Sequence, residues 1–253
     1  GNNGIVKSGD LESSLHDDAA LVSIMMANNE IGTIEPIQEL CNIAHAHGAL
    51  FHTDAVQAVG HISINVKSLG VDMLSASAHK FNGMKGSGFL YIRKGIDIHP
   101  FSDGGSQERG KRAGTENVAA IVAMASSLKK NCERMEESAL KLHRIEERFL
   151  ENLTAANLDY IKNGNSDHLP GSINISIRGA DGELLLHRLD LKGICISTGS
   201  ACDSVNTQIS HVIKAIGVPE EYAKGTIRVS FGAENTEKDA DSIANSLIDI
   251  LKL

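Results

Sequence analysis

The hydrophobic period of the chain changes twice between residues 20 and 54, and that change limits the fold more than any other feature. Residues 20–26 form a short apolar run of the kind that makes a buried strand. Pro36 suits the first turn of a helix over 37–47, where Ile37, Leu40, Cys41 and Ala44 fall on one face. Gly48 is a natural stop, and residues 49–53 are apolar again. A strand–helix–strand order of this length predicts two parallel strands joined by a right-handed crossover. The fold class is therefore α/β. Residues 71–77 and 88–93 supply two more strands. Asp54 closes the second strand, and the sequence Ser77-Ala78-His79-Lys80 closes the third. The carboxyl ends of such strands are where α/β enzymes place ligands.

The rest of the chain has a different texture. Residues 101–114 are rich in Gly, Arg and Ser and read as a ligand or partner loop. From Glu116 the pattern is helical. Val118, Ile121, Val122, Ala125, Leu128, Cys132 and Met135 recur at helical spacing, and Leu142, Ile145, Phe149 and Leu153 continue it. That run exceeds an ordinary helix, so a break between domains is expected near Asn131. Residues 172–177 alternate as a strand, Asp181 is a helix N-cap, and 193–197 and 226–231 are further short strands. Thr236 and Asp239 open a last helix that buries Ile243, Leu247, Ile250 and Leu251. The reading gives a larger domain over 1–131 and a smaller α+β domain over 132–253.

A formal charge of −8 argues against nucleic acid or a membrane surface as a general partner. No apolar run is long enough to span a bilayer. The first residues, Gly1-Asn2-Asn3-Gly4, carry no basic or apolar leader pattern. The four cysteines lack the paired spacing of a zinc site, and a reduced cytoplasm is the expected compartment. Cys195, inside Gly193-Ile194-Cys195-Ile196, reads as a buried small hydrophobe. Cys202 follows Ser197-Thr198-Gly199-Ser200-Ala201, a small and flexible stretch that leaves a thiol exposed. His45 and His47 cannot share a helix face and read as surface residues.

Each polar candidate has a plain reading, and some have a chemical one beside it. Lys80 is either a solvated loop lysine or a partly desolvated amine able to form a Schiff base. Asp54 is a helix cap or a ligand carboxylate. Gln57 is a polar residue on a short helix or a donor to a ligand. His79 by itself reads as an ordinary hydrogen-bonded histidine. Asn29 by itself is a turn residue in Ala27-Asn28-Asn29-Glu30. Thr115, with Asn117 nearby, starts the long helix. Arg228 sits mid-strand, where a buried guanidinium needs a partner; a protein carboxylate or a bound α-carboxylate both serve.

A strand-Asp followed by a strand-Ser-x-His-Lys resembles the pyridoxal phosphate enzymes of the aspartate aminotransferase fold. The match narrows over five ordered stretches. These are Met25-Met26-Ala27-Asn28-Asn29-Glu30-Ile31-Gly32-Thr33, His52-Thr53-Asp54-Ala55-Val56-Gln57, Ser77-Ala78-His79-Lys80, Gln107-Glu108-Arg109-Gly110-Lys111-Arg112-Ala113-Gly114-Thr115-Glu116-Asn117 and Ser197-Thr198-Gly199-Ser200-Ala201-Cys202. Together they resemble the NifS/IscS-like cysteine desulfurases, class V aminotransferase relatives of fold type I. The resemblance implies a partial, mostly parallel sheet with flanking helices and a smaller C-terminal domain.

It also implies roles. Lys80 carries the aldehyde of pyridoxal 5'-phosphate and moves protons. Asp54 holds the pyridine nitrogen, and Gln57 the phenolic oxygen. Ser77 and His79 contact the phosphate, and His79 is also counted among the catalytic residues. Asn29 lies near ring and substrate, and Arg228 takes the substrate carboxylate. Thr115 reaches the neighbouring subunit's phosphate, which implies a homodimer for the full-length chain. Cys202 accepts sulfur from L-cysteine as a persulfide for an acceptor protein. Family members begin with a front segment whose helix N-terminus anchors the cofactor phosphate, and this chain is expected to lack it. Selenocysteine lyase chemistry and a non-catalytic sulfur-carrier fragment are the competing readings. Asn82-Gly83-Met84 stands where the family usually has Tyr-Gly-Pro, and Asp203 adjoins the nucleophile.

Overall fold

The computed structural model describes residues 1–199 and 209–251. They form two compact units, each drawing on separate parts of the chain.

One unit comprises Ser8–Met26 and Ile37–Glu133. Its sheet has the order β1 (Leu21–Met25), β2 (Leu50–Asp54), β3 (Met73–Ser77) and β4 (Gly88–Ile92). The first three strands are parallel, as the crossover requires, and β4 returns antiparallel to β3. The helix Ile37–Ala46 buries Ile37, Leu40, Cys41 and Ala44, the face expected from their spacing. Gly48 ends it at φ 78°, where a side chain would be strained. On the strands, burial alternates. Phe51, Thr53, Leu74 and Ala76 are buried, whereas His52, Asp54, Ser75 and Ser77 on the other face are half-buried.

A buried carboxylate ties the unit together. Asp72 Oδ2 accepts from the Phe51 backbone N–H at 2.7 Å and meets His45 Nε2 at 2.9 Å. Arg93 lies against Oδ1 as an ion pair, out of line for a hydrogen bond. His45 is therefore half-buried and paired, not the surface residue that its helix position suggested; only His47 is exposed. The helix Val118–Glu133 departs from expectation more strongly. Val118, Ile121 and Val122 are exposed, and Ala120 is its one buried residue. Helical spacing marks an apolar stripe but does not name what covers it.

The other unit comprises Gly1–Lys7, Ala27–Pro36 and Arg134–Leu253. Its antiparallel sheet has the order β5 (Tyr160–Lys162), β6 (Ser172–Ile177) and β7 (Thr226–Ser230). Ile173, Ile175, Ile177, Ile227 and Val229 pack with Leu142, Ile145, Phe149 and Leu153 of the helix Met135–Ala155. Leu185 and Leu189 of Gly182–Asp190 and Ala240, Ala244 and Leu247 of Glu237–Leu251 complete this core. Burying side chains of this size contributes roughly 1.5–3 kcal/mol each against leaving them in water. The caps are as read: Asp181 accepts from Leu184 N at 3.1 Å, and Asp239 Oδ2 accepts from Thr236 N at 2.7 Å.

The long helical pattern breaks at Arg134, three residues beyond Asn131. Residues 193–197 do not form a strand. Ser197 alone bridges to Arg228, and Cys195 is exposed, not buried. Its apolar neighbours mislead, because a stretch bonded at one residue buries only part of its side chains.

Candidate functional site

The parallel strands deliver their carboxyl ends to one edge of the sheet. Met25 pairs in register with Asp54, and Asp54 with Ser75. Because side chains alternate, Asp54, Ser75 and Ser77 share one face, with His52 and Ser23 behind them. A hydrogen-bonded row crosses that face. Ser23 Oγ lies 2.8 Å from His52 Nδ1, and His52 Nε2 lies 3.2 Å from Ser75 Oγ. Burial holds the His52 imidazole below its usual pKa, with the Asp54 charge opposing the effect. Each His52 ring nitrogen thus has a hydroxyl partner, and in the neutral imidazole one donates while the other accepts.

Asp54 Oδ1 accepts from Val56 N at 2.9 Å, capping a single turn in which Ala58 N and Val59 N both return to the Ala55 carbonyl. The cap reading of Asp54 is thus realised, on the same residue that heads the ligand edge. Gln57 lies half-buried in this turn.

After Ser77 the chain enters a tight 3₁₀ turn, Ala78–Phe81. Ser77 Oγ meets His79 Nδ1 at 2.8 Å. The Lys80 carbonyl accepts from His61 Nε2 at 2.8 Å, and Asn131 Nδ2 donates to the Phe81 carbonyl at 3.2 Å. Asn82 ends the turn at φ 65°, a conformation asparagine tolerates. The backbone of Lys80 is held while its side chain, like that of His79, is exposed. Thr115 is exposed, and the helix after it is capped by Asn117, whose Oδ1 accepts from Ala120 N at 3.2 Å.

The second unit carries Asn29 and Arg228. On β6 and β7, Ser172, Asn174, Ser176, Thr226 and Arg228 alternate with the core residues and form a polar face. Arg228 Nη1 donates to the Asn29 carbonyl at 2.9 Å, and Nη2 to Ser197 Oγ at 3.2 Å. Asn28 Oδ1 accepts from Glu30 N at 2.8 Å and Ile31 N at 3.1 Å, folding Asn29 into the turn that its sequence suggested. Cys202 lies outside the described residues.

The sheet edge thus gathers Asp54, Gln57, Ser77, His79 and Lys80, and the other unit gathers Asn29 and Arg228. His52, Ser23, Ser75 and Asn174 were not singled out beforehand. The signal was available: polar residues two apart in an otherwise apolar strand mark the working face. An amine, a carboxylate, a hydroxyl and an imidazole at parallel strand ends are groups of the kind that could hold a pyridoxal phosphate ring. Among the described residues no group of His, Cys, Asp and Glu could hold a metal ion. No helix there is long and apolar enough to cross a membrane.

The family described as aminotransferase class-V matches residues 1–243. A cysteine desulfurase IscS from Dictyoglomus turgidum is 49% identical over 250 residues, covering 98% of this chain and 62% of that protein. One from Clostridium botulinum is 46% identical over 98% of this chain and 64% of its own length. The chain therefore spans under two thirds of these curated relatives. Among solved structures, a NifS-like protein superposes with a TM-score of 0.90 at 37% identity, over 99% of this chain and 66% of that one. A NifS-like protein from Rickettsia africae gives 0.89 at 32%, over 100% and 68%. The fold is that of the pyridoxal phosphate enzymes of fold type I.

Proposed function

Since the chain belongs to the aminotransferase class-V family, we propose that it serves as a cysteine desulfurase, converting L-cysteine to L-alanine and a protein-bound persulfide. The observation that carries this is the sharing of one strand-end edge by Asp54 and Ser77, with Lys80 three residues further on. When bound, pyridoxal 5'-phosphate supplies the sink for electrons at the substrate Cα.

The chain's own groups supply the rest. The Lys80 amine holds the cofactor aldehyde and then moves the proton at Cα, with His79 beside it. The Asp54 carboxylate keeps the pyridine nitrogen protonated. Gln57 donates to the phenolic oxygen, and Ser77 and His79 hold the phosphate. Arg228 takes the substrate carboxylate, with Asn29 as its neighbour. The Cys202 thiolate attacks the substrate sulfur. An S–S bond forms, the C–S bond breaks, and its electron pair stays with the carbon, which takes a proton to become alanine. A thiol of an acceptor protein then removes the outer sulfur. Thr115 reaching a neighbouring subunit's phosphate would make the full-length chain a homodimer, in a reduced cytoplasm. Of the expected domains 1–131 and 132–253, the first serves as the cofactor domain through Ser8–Met26 and Ile37–Glu133, while Gly1–Lys7 and Ala27–Pro36 fold with the second, which carries the Cys202 segment.

The test is Cys202→Ser with added cofactor. It should keep the cofactor's visible absorbance yet release no sulfide from L-cysteine in the presence of a thiol reductant. Undiminished sulfide release would remove Cys202 from the mechanism.

A further inference from the structure

Asn174 and Arg228 stand directly opposite each other on adjacent antiparallel strands. Their side chains donate to consecutive carbonyls of the same turn: Arg228 Nη1 to Asn29 O at 2.9 Å, and Asn174 Nδ2 to Glu30 O at 3.1 Å. Asn174 is almost wholly buried. Its other amide atom is also committed, because Oδ1 accepts from Asn163 Nδ2 at 2.7 Å. Asn163 Nδ2 also donates to Ser176 Oγ at 2.7 Å, and Ser176 Oγ pairs with Thr226 Oγ1 at 2.7 Å. The amide of Asn174 is thus locked from behind and has one orientation in which to hold the turn.

The consequence concerns Arg228. Its reach is set partly by the Asn29 carbonyl, and that carbonyl is set by a turn whose next residue hangs on Asn174. If the Glu30 carbonyl loses its donor, a buried acceptor is left unpaired and the turn shifts to find another. Arg228 moves with it. We propose that Asn174 is a positioning residue for amino-acid carboxylate binding, fixing Asn29 and Arg228 through the Glu30 carbonyl. This rests on the desulfurase reading only in naming the carboxylate as that of L-cysteine. The clamp itself rests on the hydrogen bonds.

Two measurements separate these layers, using Asn174→Ala, the milder Asn174→Ser, and Ser176→Ala as a control. The control disturbs the same buried polar row without touching either donor to the turn. In amide hydrogen exchange, residues 28–32 should open about tenfold faster in both Asn174 variants and not in the control, as expected for one lost hydrogen bond. With pyridoxal phosphate loaded, the KM for L-cysteine should rise about tenfold while kcat stays within about twofold, the signature of lost ground-state binding. Equal exchange in all three variants, or a KM that does not move while the turn loosens, overturns the proposal. Absence of turnover in the parent would instead strike the desulfurase reading, and the exchange result would still decide the clamp.

Discussion

His168 Nε2 lies 2.9 Å from Glu146 Oε2, and both side chains are buried. The carboxylate's other oxygen accepts from the Gly171 backbone N–H, and His168 Nδ1 reaches the Ser166 carbonyl at 2.9 Å. The pair fastens the approach to β6 onto the helix Met135–Ala155, beneath the strand that carries Asn174.

This pair makes stability depend on pH in a defined direction. The hydrogen bond to Glu146 raises the His168 pKa above its ordinary 6.5, against the effect of burial; His143 and Lys162 are the basic side chains nearby. A raised native pKa means that the folded state binds the proton more tightly. The contribution is therefore complete below pH 6.5 and is lost as pH rises through the native value. Thermal melts of His168→Gln against the parent should differ most near pH 5.5 and converge toward pH 9. A gap that widens with pH would contradict the assignment.

Asp72 should matter more than either of its side-chain partners. Asp72→Ala strands the Phe51 N–H and removes the contacts of His45 and Arg93, for a loss of about 2–4 kcal/mol. His45→Ala leaves the carboxylate its backbone donor and Arg93, and should cost about 1 kcal/mol. Urea denaturation would rank them; equal losses would show that the backbone donor contributes little.

The cysteines should divide by exposure. Cys41 is buried, with its thiol pushed up to about 11 by burial and then by the Asp72 charge, whereas Cys132 and Cys195 are exposed. In a Cys202→Ser background, a thiol reagent at pH 8 should modify Cys132 and Cys195 promptly and Cys41 only after unfolding. Prompt labelling of Cys41 would mean that the helix Ile37–Ala46 opens readily.

Gly225 immediately precedes β7. A Cβ there would sit 2.1 Å from the Ile177 carbonyl oxygen, which is backbone and cannot swing aside. Gly225→Ala should cost about 1–3 kcal/mol by forcing the strands apart. It should also weaken amino-acid binding at Arg228, three residues on. Calorimetric titration with L-alanine would detect the second effect, and unchanged affinity would show that Arg228 is insulated from the start of its strand.

Lys80→Ala should abolish the visible absorbance that appears when pyridoxal phosphate is added, since the Lys80 amine is the group proposed to hold the aldehyde. Ser77→Ala should weaken cofactor binding only about three- to tenfold, as one hydrogen bond among several. A full band in Lys80→Ala would remove the lysine from the site.

Much of this was legible in the residues. The run over 20–54 declared a parallel pair because apolar spacing records which side of an element is dry. The stretches around Asp54, Lys80 and Cys202 point to a family because they resemble its ordered blocks, and short blocks of this kind are read from neighbours in sequence alone. The failures share a cause. Cys195 and His45 were misread because apolar or polar company in sequence does not say what lies across the fold. The exposed Val118, Ile121 and Val122 fit a helix face whose covering the described residues do not supply.

The sequence by itself determined the alternation of strands and helices, the caps at Asp181 and Asp239, and the residue types able to do chemistry, because these depend on neighbours within a few positions. Only the tertiary structure decided that Asn174 and Arg228 grip one turn from opposite strands, and that Asp72 and Glu146 are buried and paired. Such bonds join residues 21 to 199 positions apart. Nothing local to a residue encodes which distant group will arrive to satisfy it.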